Sequence, residues 1–180
     1  LKNEALLHQV KIDEAERFIQ HFSNMGLTDW QAEYVQLFDN SRSASLYLFE
    51  HVKGDSKDRG QAMVDLMEFY RENGMQLSSN ELPDYLPVFL EFLSTRDKDE
   101  AAELLAGTAH IIERISQALK EKDHPYHYVL SAIVSLSSRQ PDAKATGEII
   151  RNEKPLDLDA EYGDEPIEFS INNDCTNCKS

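Results

Sequence analysis

With 180 residues, 41% of them hydrophobic and 28% charged, the chain is sized and composed as one soluble domain that buries a core without staples. Its 18 Lys and Arg stand against 33 Asp and Glu, and the net charge of -15 argues against nucleic acid or anionic membrane as a partner and for basic peptides. No run reaches the ~18 apolar residues of a membrane span, the start lacks signal-peptide zoning, and two cysteines make no disulfide framework, so the composition reads as cytoplasmic.

Nearly every segment reads as helix. Leu6, Leu7 and Val10 suggest a first helical piece. Asp13, three residues before Glu16, has the spacing of a reciprocal cap; Ala15, Phe18, Ile19 and Phe22 then share a face, and Gly26 is the stop. Thr28 with Gln31 starts the next helix, carrying Trp30, Tyr34, Leu37 and Phe38. Leu46, Phe49 and Val52 predict a further helix, broken at Gly54. Another opens at Asp55 or Ser56, presents Met63, Leu66, Met67 and Tyr70, and ends at Gly74. The following helix starts at Asp84, with Pro87 among first-turn amides that need no intrahelical partner. Leu86, Phe89, Leu90 and Leu93 form its stripe, and Val88 and Phe92 widen it, which makes this helix central.

Asp97 with Glu100 caps a longer helix whose Leu104, Thr108, Ile111, Ile115 and Leu119 share a face. His124-Pro125 marks a break, and Val129, Ala132, Ile133 and Leu136 supply one more amphipathic helix. From Arg139 the texture changes: three prolines and few large apolar residues make a poor core former. Residues 151–180 hold eight acidic residues against three basic ones, a net of -5 that leaves -10 for the first 150. No segment alternates long enough for a strand. The expectation is an all-α, single-domain helical bundle over 1–150 with an extended acidic tail over 151–180, whose Ile167, Phe169 and Ile171 are anchors laid across the bundle.

Two charged runs sit beside the apolar helices. In Glu81-Leu82-Pro83-Asp84-Tyr85, the Asp84 carboxylate is placed either to cap the following helix or, with Glu81, to form an acidic rim for a ligand. Glu50-His51-Val52-Lys53-Gly54-Asp55-Ser56-Lys57-Asp58-Arg59-Gly60 reads as a helix–helix corner in which Arg59 pairs with Asp55 or Glu50. Its spacing matches neither a calcium loop nor a zinc-protease motif, so no metal is expected. Cys175-Thr176-Asn177-Cys178 is a lone pair on a polar terminus and reads as inert thiols. A nucleophile elbow, a phosphate-cradling loop and a dinucleotide fingerprint are all missing, which argues for no cofactor and against an enzyme.

The order Phe49-Glu50-His51-Val52, then Asp55 to Gly60, then Glu81 to Pro87, resembles the nitrate reductase delta-subunit (NarJ) family. That family lies within the broader TorD/DmsD-like redox-enzyme maturation proteins. The likeness is sharpest from Trp30 to Leu93 and runs more loosely to Phe169. It implies a TorD-like bundle acting as a cytoplasmic chaperone. Its client would be the N-terminal segment of the catalytic alpha subunit of respiratory nitrate reductase, alone or in the alpha–beta complex, held for molybdenum-cofactor and iron–sulfur insertion before membrane docking. The resemblance also implies peptide recognition by Glu81 and Asp84, which match a Glu-Pro-x-Asp-His-type signature. Tyr85 stands where that signature often has His, Leu82 intervenes before Pro83, and Lys53 and Lys57 replace a His and an Arg of the corner run.

Tyr34, Phe38, Tyr47, Phe49, Met63, Met67, Tyr70, Phe89 and Phe92 read mostly as core, yet Met and aromatics also line grooves that receive amphipathic helices. The expected peptide site comprises Tyr47, Glu50, His51, Arg59, Met63, Met67, Tyr70, Glu81, Pro83, Asp84, Tyr85 and Phe89. Other readings stay open at this level: a chaperone for another molybdoenzyme, a helical scaffold without a redox client, or a metal-dependent hydrolase using His51.

Overall fold

In the computed structural model, the described residues are 7–52, 56–77 and 81–152, the side chains of 56, 57 and 148–152 aside. Residues 153–180 of the acidic tail with its anchors and the two cysteines, and Gly54 and Asp55, therefore lie outside the described residues, while 151 and 152 end the last helix. Seven α-helices follow in order: α1 (Gln9–Phe22), α2 (Leu27–Tyr34), α3 (Ser56–Glu72), α4 (Leu86–Ser94), α5 (Lys98–Glu121), α6 (Tyr126–Val134) and α7 (Ala143–Asn152). Between α2 and α3 the chain makes a π-helical turn (Val35–Asp39) and two 3-10 turns (Arg42–Ala44 and Leu48–His51). Among the described residues there is no strand, only an isolated antiparallel bridge pairing Tyr47 with Tyr85.

α5 is the axis of the bundle and packs against α4, α6, α7 and both 3-10 turns. Its Leu105, Ala109, Ile111, Ile112, Ile115, Ala118 and Leu119 are buried, and each large aliphatic among them contributes on the order of 1.5–3 kcal/mol. The Asp97 cap is as the spacing predicts: its carboxylate accepts from the amides of Asp99 (3.1 Å) and Glu100 (2.9 Å). At the far end His124 N donates to Leu119 O and Asp123 N to Lys120 O, a paired closure that puts Asp123 at φ 52. α3 closes in the same manner, with Met75 N to Tyr70 O, Gly74 N to Arg71 O, and Gly74 at φ 83, where only glycine is unstrained. α4 is as apolar as its stripe predicts, burying Leu86, Val88, Phe89, Phe92 and Leu93.

Three expectations are corrected. α1 begins at Gln9, and Asp13 lies inside it, accepting from the Gln9 side chain at 2.7 Å instead of capping. Gly26 precedes α2 as its N-terminal flank, so Thr28 is already helical. The α-helix predicted over Leu46, Phe49 and Val52 does not form: Leu46 O and Leu48 N bond to residues 86 and 84, and the segment's own bonds, Glu50 N to Tyr47 O and Val52 N to Phe49 O, close only a 3-10 turn. α7 is an addition: Asp142 Oδ1 accepts from Lys144 N (2.8 Å) and Ala145 N, starting a helix where the sequence texture suggested none.

Candidate functional site

The turn at residues 82–85, closed by Tyr85 N to Leu82 O, carries Asp84 back onto the preceding segment. Leu86 N donates to Leu46 O at 2.8 Å and Leu48 N to Asp84 O at 3.0 Å, and Phe49 N reaches the Asp84 carboxylate, Oδ2, at 3.0 Å. Asp84 thus caps a helical turn, but that of Leu48–His51 rather than α4, which starts after Tyr85 with no side-chain cap. The carboxylate is fully buried, and its Oδ1 accepts no hydrogen bond. Burial pushes its carboxyl above the usual carboxylate range; the Phe49 amide and the Arg59 charge pull the other way.

Several other expected site residues are also inside. Tyr70 is fully buried and donates to Pro83 O at 2.9 Å; burial, then the Asp84 charge, push its phenol up. His51 is buried with Nε2 donating to Ser45 O at 2.9 Å, which ties the corner together. Pro83 and Phe89 are buried as well. Asp84, Tyr70, His51, Pro83 and Phe89 thus lie inside the fold rather than on its surface.

The remaining candidates reach the surface. Arg59 stands 3.7 Å from Glu50, as one of the two predicted pairings has it, and both line a cavity of about 240 Å³ with Arg42, Phe49, Val52, Asp58 and Ala62. On α3, Met63 is half-buried and Met67 is 50% exposed. Glu81 is exposed. Tyr47 and Tyr85 are half-buried, their rings 5.2 Å apart and tilted by 35°. Burial, then Glu81, Tyr85, Asp39 and Asp84, raise the Tyr47 phenol above its ordinary value.

Tyr85 extends this corner toward α2, because its hydroxyl lies 2.7 Å from that of Tyr34. Burial, then this hydroxyl contact, push the Tyr34 phenol up. Beyond Tyr34, Trp30 Nε1 donates to Tyr126 Oη at 2.7 Å, with the Trp30 ring stacked on Phe22 at 4.8 Å. Behind Tyr126 the His124 ring stacks at 5.4 Å, and its Nε2 lies 2.6 Å from Glu33 Oε1. Between α2 and the start of α6 these residues leave a concavity of about 550 Å³, lined by Leu27, Trp30, Gln31, Tyr34, Val35 and Tyr126. Leu27 at the start of α2 is 70% exposed and Val35, the first residue of the π-helical turn after it, 47% exposed, so this stretch turns apolar side chains to solvent. Periodicity put Trp30 and Tyr34 on one helical stripe, and Tyr34 read mostly as core; the available signal was the apolar Leu27 and Val35 flanking them, with no Lys or Arg from 18 to 41.

Among the described residues no group of three or more His, Cys, Asp or Glu is disposed to hold a metal ion, and no helix is long and apolar enough to cross a membrane.

The family model described as nitrate reductase delta subunit matches residues 6–131. Over 162 residues the chain is 39% identical to the nitrate reductase molybdenum cofactor assembly chaperone NarJ of Escherichia coli K12, spanning 88% of this chain and 69% of that protein. It is 38% identical over 167 residues to the probable chaperone NarW of the same organism, spanning 91% and 72%. Against the probable NarJ of Bacillus subtilis identity is 26% over 111 residues, 59% of this chain and 60% of that protein. A likeness of this extent, reaching across both charged runs, makes the chain a member of the nitrate reductase delta-subunit family.

Proposed function

We propose that this protein is a non-catalytic maturation chaperone of respiratory nitrate reductase. It binds the N-terminal segment of the catalytic alpha subunit and holds the apoenzyme open for molybdenum-cofactor and iron–sulfur insertion before membrane docking. The names of the relatives, assembly chaperones for nitrate reductase molybdenum cofactor, support the role. The observation that carries the binding mode is the exposed apolar concavity of α2 and α6, continuous through the Tyr34–Tyr85 hydroxyl contact with the residue 81–86 corner.

The mechanism is capture of an amphipathic helix in a groove. Apolar side chains of the client displace water from Leu27, Trp30, Val35 and Tyr126, which supplies most of the affinity. Asp29, Glu33 and Asp39, unaccompanied by Lys or Arg between residues 18 and 41, attract basic residues flanking those anchors. The acidic surface chiefly raises the association rate and makes binding weaken with salt. Calorimetric titration with a synthetic peptide of the alpha-subunit N-terminus from the same genome, at low and high salt, tests this. Binding at micromolar or tighter concentration is expected, with Trp30→Ala weakening it about tenfold or more. An absence of binding at both salts, or an unaltered affinity in the Trp30 variant, sinks the reading.

A further inference from the structure

Four side chains that line the concavity between α2 and the start of α6 carry hydrogen-bonding groups: Trp30, Gln31, Tyr34 and Tyr126. Three of them have partners inside the protein. Trp30 Nε1 donates to Tyr126 Oη, and the Tyr34 hydroxyl lies 2.7 Å from that of Tyr85. Gln31 differs: it is exposed, and among the described residues its carboxamide makes no hydrogen bond. Its place makes that group consequential. Gln31 stands one turn after Leu27 in α2 and one turn before Val35, whose amide donates to Gln31 O. All three line the concavity, and both apolar neighbours face solvent. A client helix that covers Leu27 and Val35 therefore covers the carboxamide between them, and a carboxamide taken out of water without a partner weakens binding.

We infer that Gln31 is a specificity-determining residue of this groove, selecting a client segment that carries one uncharged hydrogen-bonding side chain (Asn, Gln, Ser or Thr) within its apolar face. The inference rests on the proposed function and deepens it. A carboxamide presents two N–H donors and a carbonyl acceptor. A second carboxamide meets both kinds with a pair of antiparallel hydrogen bonds, and a hydroxyl meets either. Lys or Arg offers donors alone and leaves the Gln31 N–H groups unmatched. Asp or Glu accepts from them but stands in the negative field of Asp29 and Glu33 on the same helix. An entirely apolar face leaves the whole group unmatched. Selection thus works by penalty: a wrong segment, or the right one in a wrong register, buries Gln31 against apolar side chains. A single polar residue in the apolar seam of a coiled coil fixes register by the same means, at some loss of affinity.

A double-mutant cycle on the full chain tests this, with the alpha-subunit peptide titrated calorimetrically. In the peptide, each Asn, Gln, Ser and Thr is replaced in turn by an apolar side chain of similar shape: Leu, Met, Ala and Val respectively. In the protein, Gln31→Met keeps the length of the side chain and its helical propensity. Because Gln31 is exposed, the variant should melt at the wild-type Tm. One peptide replacement should weaken binding to the wild-type protein about five- to fiftyfold, as expected for a covered amide left without its partner. Against Gln31→Met the same replacement should cost nothing or tighten binding, so that the preference for a polar residue at that place is lost. A purely structural role for Gln31 would lower affinity for every peptide alike. If the peptide binds and every replacement costs the same against both proteins, the carboxamide turns to solvent in the complex; the inference is overturned and the chaperone reading survives. If the wild-type protein binds the peptide in none of its forms, the alpha-segment reading falls and takes the inference with it.

Discussion

α5 and the corner built from residues 42–52 and 81–86 touch one another but are held by different kinds of bond. α5 is defined locally: its cap is three residues from the amide it satisfies, its closure lies within five residues, and its apolar face repeats at helical spacing. The corner is defined across distance. Its bridging hydrogen bonds join residues 35 to 40 apart in sequence, and its buried carboxylate belongs to one segment while serving the backbone of the other. A structure that depends on local signals tolerates change anywhere but its core. One that depends on a few long-range polar bonds is sensitive at each of them.

The comparison can be broken most forcefully at the core. Phe92 is fully buried against Phe69 and Tyr70, so Phe92→Ala should cost about 3–5 kcal/mol in denaturant unfolding, and a loss below 1 kcal/mol would mean the interior collapses to fill the space. In the corner, Asp84→Ala leaves the Phe49 amide without its acceptor and should cost about 1–3 kcal/mol, read as a lowered Tm. If Asp84→Ala left Tm unchanged, the corner would not be held by that carboxylate. At the α5 cap, Asp97→Ala should cost about 1 kcal/mol, with Asn at that position restoring most of it. On the surface, the Arg139–Glu103 pair is more than half exposed on both sides, and Glu103→Gln should change stability by less than about 0.5 kcal/mol.

A pH series sharpens the same contrast. The Asp84 carboxyl titrates above its ordinary value of 3.8 when folded, so the folded state holds a proton that the unfolded state has released. The stability this gives is present at low pH and is lost as pH rises from about that ordinary value through the raised one. Asp84→Asn, which keeps an oxygen for the Phe49 amide, should remove that decline, and an unaltered pH profile would assign the slope to other groups.

The same division explains what could be read from the sequence. Asp97 with Glu100, Gly74 and His124-Pro125 are signals that act within one turn, and each marks a real helix boundary. Leu46, Phe49 and Val52 have helical spacing too, but the partners of their segment lie beyond any window of periodicity. Asp84 was legible as a cap and not as to whose, because a side chain does not announce which amide will fold against it. Of the expected site, the Glu50–Arg59 pair was readable. The aromatic groove was not, since Trp30 and Tyr34 share a helical stripe that looks inward until Leu27 and Val35, at the two ends of that stretch, are found turned to solvent. Asp142 signals α7 as clearly as Asp97 signals α5, but the small residues directly after it offer no apolar stripe to read.

Trp30 is the only tryptophan in the chain, and it forms a wall of the concavity with its indole N–H spent on Tyr126. Indole emission responds to the polarity and rigidity around the ring, so on the proposed binding mode the protein carries its own fluorophore where the client segment would sit. No label is needed, and no other indole confuses the signal. Occupancy of the groove becomes a colour change that a stopped-flow instrument can follow in time, giving capture and release as separate rates.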